Sequence, residues 1–172
     1  TELGKIPKIA IAVADWENNK LIKPLFVDIL EIRVDQFKKT DPTYVKNVIK
    51  TRKKIGLPLI LTVRSKEEGG QKDVSNQLKL SIFKENISLV DAVDIELKSP
   101  TLSEVVKTAR KNKKIVIVSW HNFKMTPNDK ILKDILNKAK RSGAHLVKIA
   151  AKANKEEDLN RLMRFTMENK SK

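Results

Sequence analysis

Six short runs rich in β-branched residues set the frame: Ile9–Val13, Val27–Val34, Leu59–Arg64, Ala92–Leu97, Ile115–His121 and Leu146–Ala150. Helical patterns alternate with them at intervals of roughly twenty to thirty residues. Strands spaced this way cannot be joined by hairpins, so the repeat implies a parallel sheet with helical crossovers. Asp41-Pro42 reads as an N-cap and first helical residue opening a helix over Thr43–Lys54. Thr126-Pro127-Asn128 precedes a helix over Lys130–Arg141 that Ser142-Gly143 closes, and Asn154 is the expected N-cap of a last helix from about Lys155 to Asn169. Gln77–Ser88 and Leu102–Asn112 fill two further gaps, and Trp16–Lys23 is the weakest helical segment. No linker or low-complexity stretch interrupts the six βα units, so residues 1–172 read as one domain.

An open doubly wound sheet and a closed barrel both fit such repeats. The first strand-to-helix turn, Val13-Ala14-Asp15-Trp16, has none of the glycines a dinucleotide-binding sheet places there. Strand parity favours the barrel. In Ile29-Leu30-Glu31-Ile32-Arg33-Val34-Asp35 the charges occupy one face and the aliphatics the other. Ile60, Thr62 and Arg64 share a face; so do Asp94 and Glu96, then Ile117, Ser119 and His121, then Leu146, Lys148 and Ala150. Central strands of an open sheet are apolar on both faces, whereas a barrel can carry polar chemistry on its inner face. The expected fold class is therefore α/β, a (β/α)8 TIM barrel of which six βα units are visible. A complete barrel of this kind takes eight strands and about 250 residues. The domain is thus expected to lack the last two βα units and to leave its first and sixth strands as edges.

Composition narrows the chemistry. The chain has no cysteine, which removes disulfides, thiolate–zinc sites and a cysteine nucleophile. Its histidines, His121 and His145, lie far from any helical i,i+4 pairing, so no metal is expected. No apolar run approaches the ~18 residues of a membrane span, and a cytoplasmic protein without membrane contact is the expectation. A net charge of +15 raises the question of a polyanion partner. The basic clusters Arg52-Lys53-Lys54, Arg110-Lys111 and Lys138 to Arg141 sit where helical patterns end, while Asp41, Asp129 and Glu156-Glu157-Asp158 sit where they begin. That order complements helix dipoles. Aromatic content is 5%, with no aromatic residues interleaved among the basic runs. A solvated lysine-rich surface is preferred to a nucleic-acid face.

On the inner face, Glu31, Asp35, Asp94 and Glu96, with Glu68 just after the third strand, converge with Arg33, Arg64, Lys148 and His121. Buried charges must pair, so Asp35, Asp94 and Glu96 read first as interior ion-pair partners. Lys148 lies on a strand without a carboxylate beside it in sequence. Two readings stay open for it: a desolvated amine able to attack a ketone or aldehyde, or a structural lysine reaching the rim. His121 ends the neighbouring strand, where a proton-transfer group would serve imine chemistry. His145 precedes its strand on the opposite side and reads as a surface residue. Glu68-Gly69-Gly70 is either an ordinary turn or a loop whose backbone approaches a ligand.

Five blocks together resemble the type I 3-dehydroquinate dehydratases, in order and in spacing. They are Glu31-Ile32-Arg33-Val34-Asp35; Thr62-Val63-Arg64 with Glu68-Gly69-Gly70; Asp94-Ile95-Glu96-Leu97; Ser119-Trp120-His121-Asn122-Phe123 with Thr126-Pro127; and Val147-Lys148-Ile149-Ala150. The resemblance implies a hydro-lyase of the shikimate pathway, acting in aromatic amino-acid biosynthesis. It would convert 3-dehydroquinate to 3-dehydroshikimate and water through a Schiff base on Lys148, with no cofactor. His121 would move the proton, Glu68 would orient His121, and Glu31, Arg33 and Arg64 would hold the substrate and its surrounding network. A homodimer is the assembly implied. Two departures stand out: Ile11-Ala12-Val13 lacks the serine usual near the end of the first strand, and the family's seventh-strand arginine and eighth-loop serine and glutamine have no counterpart. Alternatives are an inactive or incomplete fragment, one domain of a multifunctional shikimate enzyme, or another class I imine-forming lyase such as an aldolase.

Overall fold

The computed structural model describes residues 7–19, 22 and 24–170. Six strands, β1 (Ala10–Val13), β2 (Ile29–Arg33), β3 (Leu59–Thr62), β4 (Ala92–Glu96), β5 (Ile115–Asn122) and β6 (Leu146–Ala151), lie side by side in chain order. Every neighbouring pair is parallel. The helices α1 (Pro42–Lys53), α2 (Asn76–Asn86), α3 (Leu102–Lys111) and α4 (Asp129–Arg141) supply the crossovers from β2 through to β6, and α5 (Glu156–Asn169) follows β6. The result is a curled half-barrel whose edge strands, among the described residues, are β1 and β6.

Local chemistry sets most helix starts. Asp41 accepts from the Tyr44 amide at 2.8 Å and Pro42 follows it, so α1 begins where its orphan N–H groups find a carboxylate. Asn128 does the same for α4, accepting from the Ile131 amide at 3.0 Å. Leu132, Ile135, Leu136 and Ala139 then form the buried stripe of α4 at i, i+3, i+4 and i+7. The last helix departs from the expected cap. Its N-cap is Lys155, and the Asp158 carboxylate reaches back to accept from the Asn154 amide at 3.1 Å. The Asn154 side chain instead donates to the Lys124 carbonyl, tying α5 to the loop before α4.

The expected helix over Trp16–Lys23 falls partly outside the described residues, and those described form bends and a short 3-10 turn, so the α-helices among the described residues number five. Side chains hold the described backbone here. Glu17 accepts from the Ala14 amide at 2.6 Å, and Arg52 donates to the carbonyls of Ala14 at 2.7 Å and Glu17 at 2.9 Å. Arg52 is accordingly 2% exposed, and it braces the β1–β2 connection instead of belonging to a solvated basic cluster.

Two apolar clusters divide the sheet by face. Leu30, Ile32, Leu61, Val63, Val93, Ile95, Val116 and Val118 point outward, where they pack with Val45, Ile49, Ile82, Phe83, Val105 and Ala109 of the helices. Ile29, Ile60, Ala92 and Ile117, with Ile115 and Leu146 against them, form a smaller inner cluster. One step of two residues along each strand from that inner floor carries the chain into polar chemistry.

Candidate active site

Going up from the floor, the next inward residues are Glu31, Thr62, Asp94, Ser119 and Lys148, and above them Arg33, Arg64, Glu96, His121 and Ala150. Strand register fixes who meets whom. Ser119 is paired with Glu96 on one side and with Lys148 on the other. Lys148 Nζ lies 3.1 Å from Asp94 Oδ2 and 3.6 Å from Glu31 Oε1. Thr62 donates its hydroxyl to Glu31 Oε1 at 2.9 Å, so the carboxylate that faces Lys148 is itself held.

Arg64 is the hub of this network. Its guanidinium reaches Asp94 Oδ1 at 2.9 Å and Glu96 Oε1 at 3.5 Å, with Glu31 Oε1 at 3.9 Å, and it donates to Ser119 Oγ at 2.7 Å. Lys79, projecting from α2, closes the back of the network on Glu96 Oε2 at 3.1 Å. Three carboxylates, Glu31, Asp94 and Glu96, are thereby matched by three cations, Arg64, Lys79 and Lys148. Burial by itself pushes the Asp94 carboxyl up, but Arg64, Lys148 and the Ser119 hydroxyl outweigh it and hold the group below its ordinary value.

Asp35 organises the other side. It takes both Arg33 donors, at 2.9 and 2.8 Å, and accepts from the amides of Arg64 at 3.3 Å and Gln71 at 3.2 Å. One buried carboxylate thus ties the end of β2, the end of β3 and the loop carrying Glu68. That loop turns tightly. A Cβ on Gly70 would sit 2.1 Å from the Arg64 carbonyl oxygen, so the position admits only glycine without backbone movement. Glu68, 6% exposed, points back so that Oε2 accepts from His121 twice: from its backbone amide at 3.0 Å and from Nδ1–H at 2.8 Å. With Nδ1 committed to the carboxylate, Nε2 is the nitrogen left to exchange a proton. Phe123 stacks on the imidazole, ring centroids 6.3 Å apart and 12° from parallel.

The structure therefore gathers all six residues singled out from the sequence, Lys148, His121, Glu68, Glu31, Arg33 and Arg64, onto one inner face. One detail differs from the expectation. Lys148 is not a lone desolvated amine: its side chain is 38% exposed and faces two carboxylates from distant strands. Arg64 is 3% exposed and touches Asp94, Glu96 and Ser119, the surrounding network of the site. Sequence reasoning gave no role to Ser119, Thr62 or Lys79. Parity placed the first two on the right face, whereas a lysine on a helix carries no signal that it turns inward. His145 is exposed and away from this face, accepting from the Val116 amide at 3.0 Å through Nδ1.

Comparison with known proteins gives this arrangement a family. The sequence model of type I 3-dehydroquinase matches residues 9–172. The 3-dehydroquinate dehydratase of Hydrogenobaculum sp. is 42% identical over 159 residues, covering 91% of this chain and 71% of the relative. That of Aquifex aeolicus is also 42% identical, over 148 residues, covering 86% and 66%. The Aquifex aeolicus crystal structure superposes with a TM-score of 0.85 at 38% identity, over 94% of this chain and 75% of that one. A type I enzyme from Clostridium difficile carrying covalently modified comenic acid gives 0.86 at 33%, over 93% and 68%. With a family match across nearly the whole length and a shared curled parallel sheet, this chain belongs to the type I 3-dehydroquinases.

Proposed function

We propose that the chain carries the imine-forming centre of a 3-dehydroquinate dehydratase, with Lys148 as the amine, His121 as the proton carrier and Glu68 as its orienting partner. The observation that supports this most is the juxtaposition on adjacent strands of an amine held by two carboxylates and an imidazole whose Nδ1 is held by a third. Once its ammonium has lost a proton to water, Lys148 adds to the C3 ketone of 3-dehydroquinate, and loss of water gives the iminium. Nε2 of His121 removes a proton from C2, and the electron pair enters the iminium to form an enamine. The enamine expels the C1 hydroxyl, which leaves as water with the proton His121 had taken. Hydrolysis of the remaining iminium frees Lys148 and 3-dehydroshikimate. Glu31 and Arg33 would hold substrate hydroxyls at the rim, and Arg64 the network below them. A homodimer in the cytoplasm belongs to the same reading and rests on the resemblance.

Incubation with 3-dehydroquinate, reduction by borohydride and peptide mass spectrometry tests the proposal. An adduct on Lys148 supports it. His121→Ala should still give the adduct while nearly abolishing dehydroshikimate formation; equal turnover by this variant and the parent would sink the role given to His121. An adduct with another keto compound but not with 3-dehydroquinate would favour a different imine-forming lyase.

A further inference from the structure

The proposed chemistry gives Asp94 no role, yet Asp94 is the most tightly held carboxylate touching the reacting nitrogen. Its side chain is 1% exposed. Oδ1 accepts from the Ser119 hydroxyl at 2.5 Å and lies 2.9 Å from the Arg64 guanidinium. Oδ2 is left with Lys148 at 3.1 Å. Ser119, itself fully buried, is doubly engaged, donating to Asp94 and accepting from Arg64 Nη1 at 2.7 Å. A carboxylate fastened through one oxygen cannot rotate away, so the other oxygen holds a constant position and charge.

We propose that Asp94 is the fixed counter-ion of the Lys148 nitrogen, first as ammonium and then as iminium, and that Ser119 is the positioning residue that aims it. The proposal rests on the reading in which Lys148 forms the Schiff base. Its chemical consequence follows from the hydrogens available. An iminium on lysine keeps one N–H and a full positive charge, whereas the neutral imine has no N–H and is a poor electron sink. A carboxylate at 3.1 Å stabilises the iminium over the neutral imine, which keeps the sink available when His121 draws the C2 proton. Glu31 is the less constrained neighbour, at 3.6 Å and with more exposure. The charged and titratable groups around Asp94 on this face are Glu31 and Arg33 on β2, Arg64 after β3, Glu96 on its own strand with Lys79 behind it, His121 on β5 and Lys148 on β6.

The test is reductive methylation of the whole chain with formaldehyde and cyanoborohydride across pH, following Lys148 by peptide mass spectrometry. It compares the parent with Asp94→Asn, Ser119→Ala and Ser119→Thr. Formaldehyde adds to the neutral amine with loss of water, and cyanoborohydride supplies hydride to the iminium, so the pH midpoint reports how firmly the ammonium is held. In Asp94→Asn the midpoint should fall by about one pH unit or more, equivalent to about a tenfold change in the balance of the two forms. Ser119→Ala should move it the same way by less, and Ser119→Thr, which keeps the hydroxyl, should restore the parent value. A merely structural role would lower the folded fraction without moving the midpoint. An unmoved midpoint in folded Asp94→Asn overturns the proposal; if that variant does not fold, an unmoved midpoint in folded Ser119→Ala does so. Should the parent form no adduct with 3-dehydroquinate while the midpoint still moves, the dehydratase reading fails and the counter-ion stands.

Discussion

Replacing Arg64 by methionine tests the physics of the inner face independently of turnover. In the parent, Glu31, Asp94 and Glu96 face Arg64, Lys79 and Lys148, three charges against three, at separations of 2.9 to 3.9 Å. Methionine fills much of the arginine volume but leaves one negative charge in excess in a region where Asp94 and Glu96 are about 2% exposed. Removing one member of a buried ion-pair network costs about 3–5 kcal/mol, because the remaining charge keeps its desolvation penalty and loses its compensation. Ser119 also loses the donor at 2.7 Å, which adds about 1 kcal/mol. A loss of about 4–6 kcal/mol at neutral pH is therefore expected in urea-induced unfolding. The sign of its pH dependence is fixed by the same argument. Without Arg64 the carboxyl groups take up a proton more readily when folded, so acidification relieves the excess charge, and the gap between variant and parent should narrow as pH falls toward the carboxylate range. Arg64→Lys, which keeps the charge and loses the fork, should sit between the two. A loss below about 1 kcal/mol, or a gap that widens on acidification, would refute the charge-balance account.

Gly70→Ala should destabilise the chain by about 1–3 kcal/mol in thermal or urea unfolding, since its Cβ would lie 2.1 Å from the Arg64 carbonyl oxygen and only backbone displacement relieves that. Glu68→Gln should leave borohydride capture on Lys148 intact while slowing elimination by at least about tenfold, because an amide in place of the carboxylate no longer stabilises the imidazolium. Equal rates would show that the 2.8 Å contact to Nδ1 is structural only. In acid, the Asp94 carboxyl has its folded value below the ordinary 3.8, despite burial, because Arg64, Lys148 and Ser119 favour its charged form. A depressed folded value contributes stability that is complete above the unfolded value and is lost as pH falls through the folded one. Unfolding free energy should accordingly change little on this account between pH 7 and about 5 and decline below about 4. A decline centred near pH 6 would point to another group.

The sequence by itself determined the order of the strands and of the helices from Pro42 onward and the parity of each strand, and parity together with the family resemblance marked the six site residues. Order and parity were legible because they are local properties. β-Branched runs with period two specify strands and their faces, and caps such as Asp41-Pro42 and Asn128 specify where helices start. Tertiary structure decided how the charges are divided. Lys148 stands 54 residues from Asp94, and Arg64 stands 55 from Ser119, so no local pattern could reveal that the amine is ion-paired or that a serine hydroxyl aims a carboxylate. Arg52 and Lys79 make the same point from the helices. Each reads in sequence as one more solvated cation, and each is buried because an acceptor far along the chain, the Ala14 carbonyl or the Glu96 carboxylate, lies where the helix docks. Arg52 also reaches the Ala14 and Glu17 carbonyls from more than thirty residues away, a contact beside the bends among the described residues of Trp16–Lys23 that no local pattern could announce. Periodicity records what a segment buries, whereas the pairing of buried charges depends on which strands are neighbours, and only the folded sheet sets that.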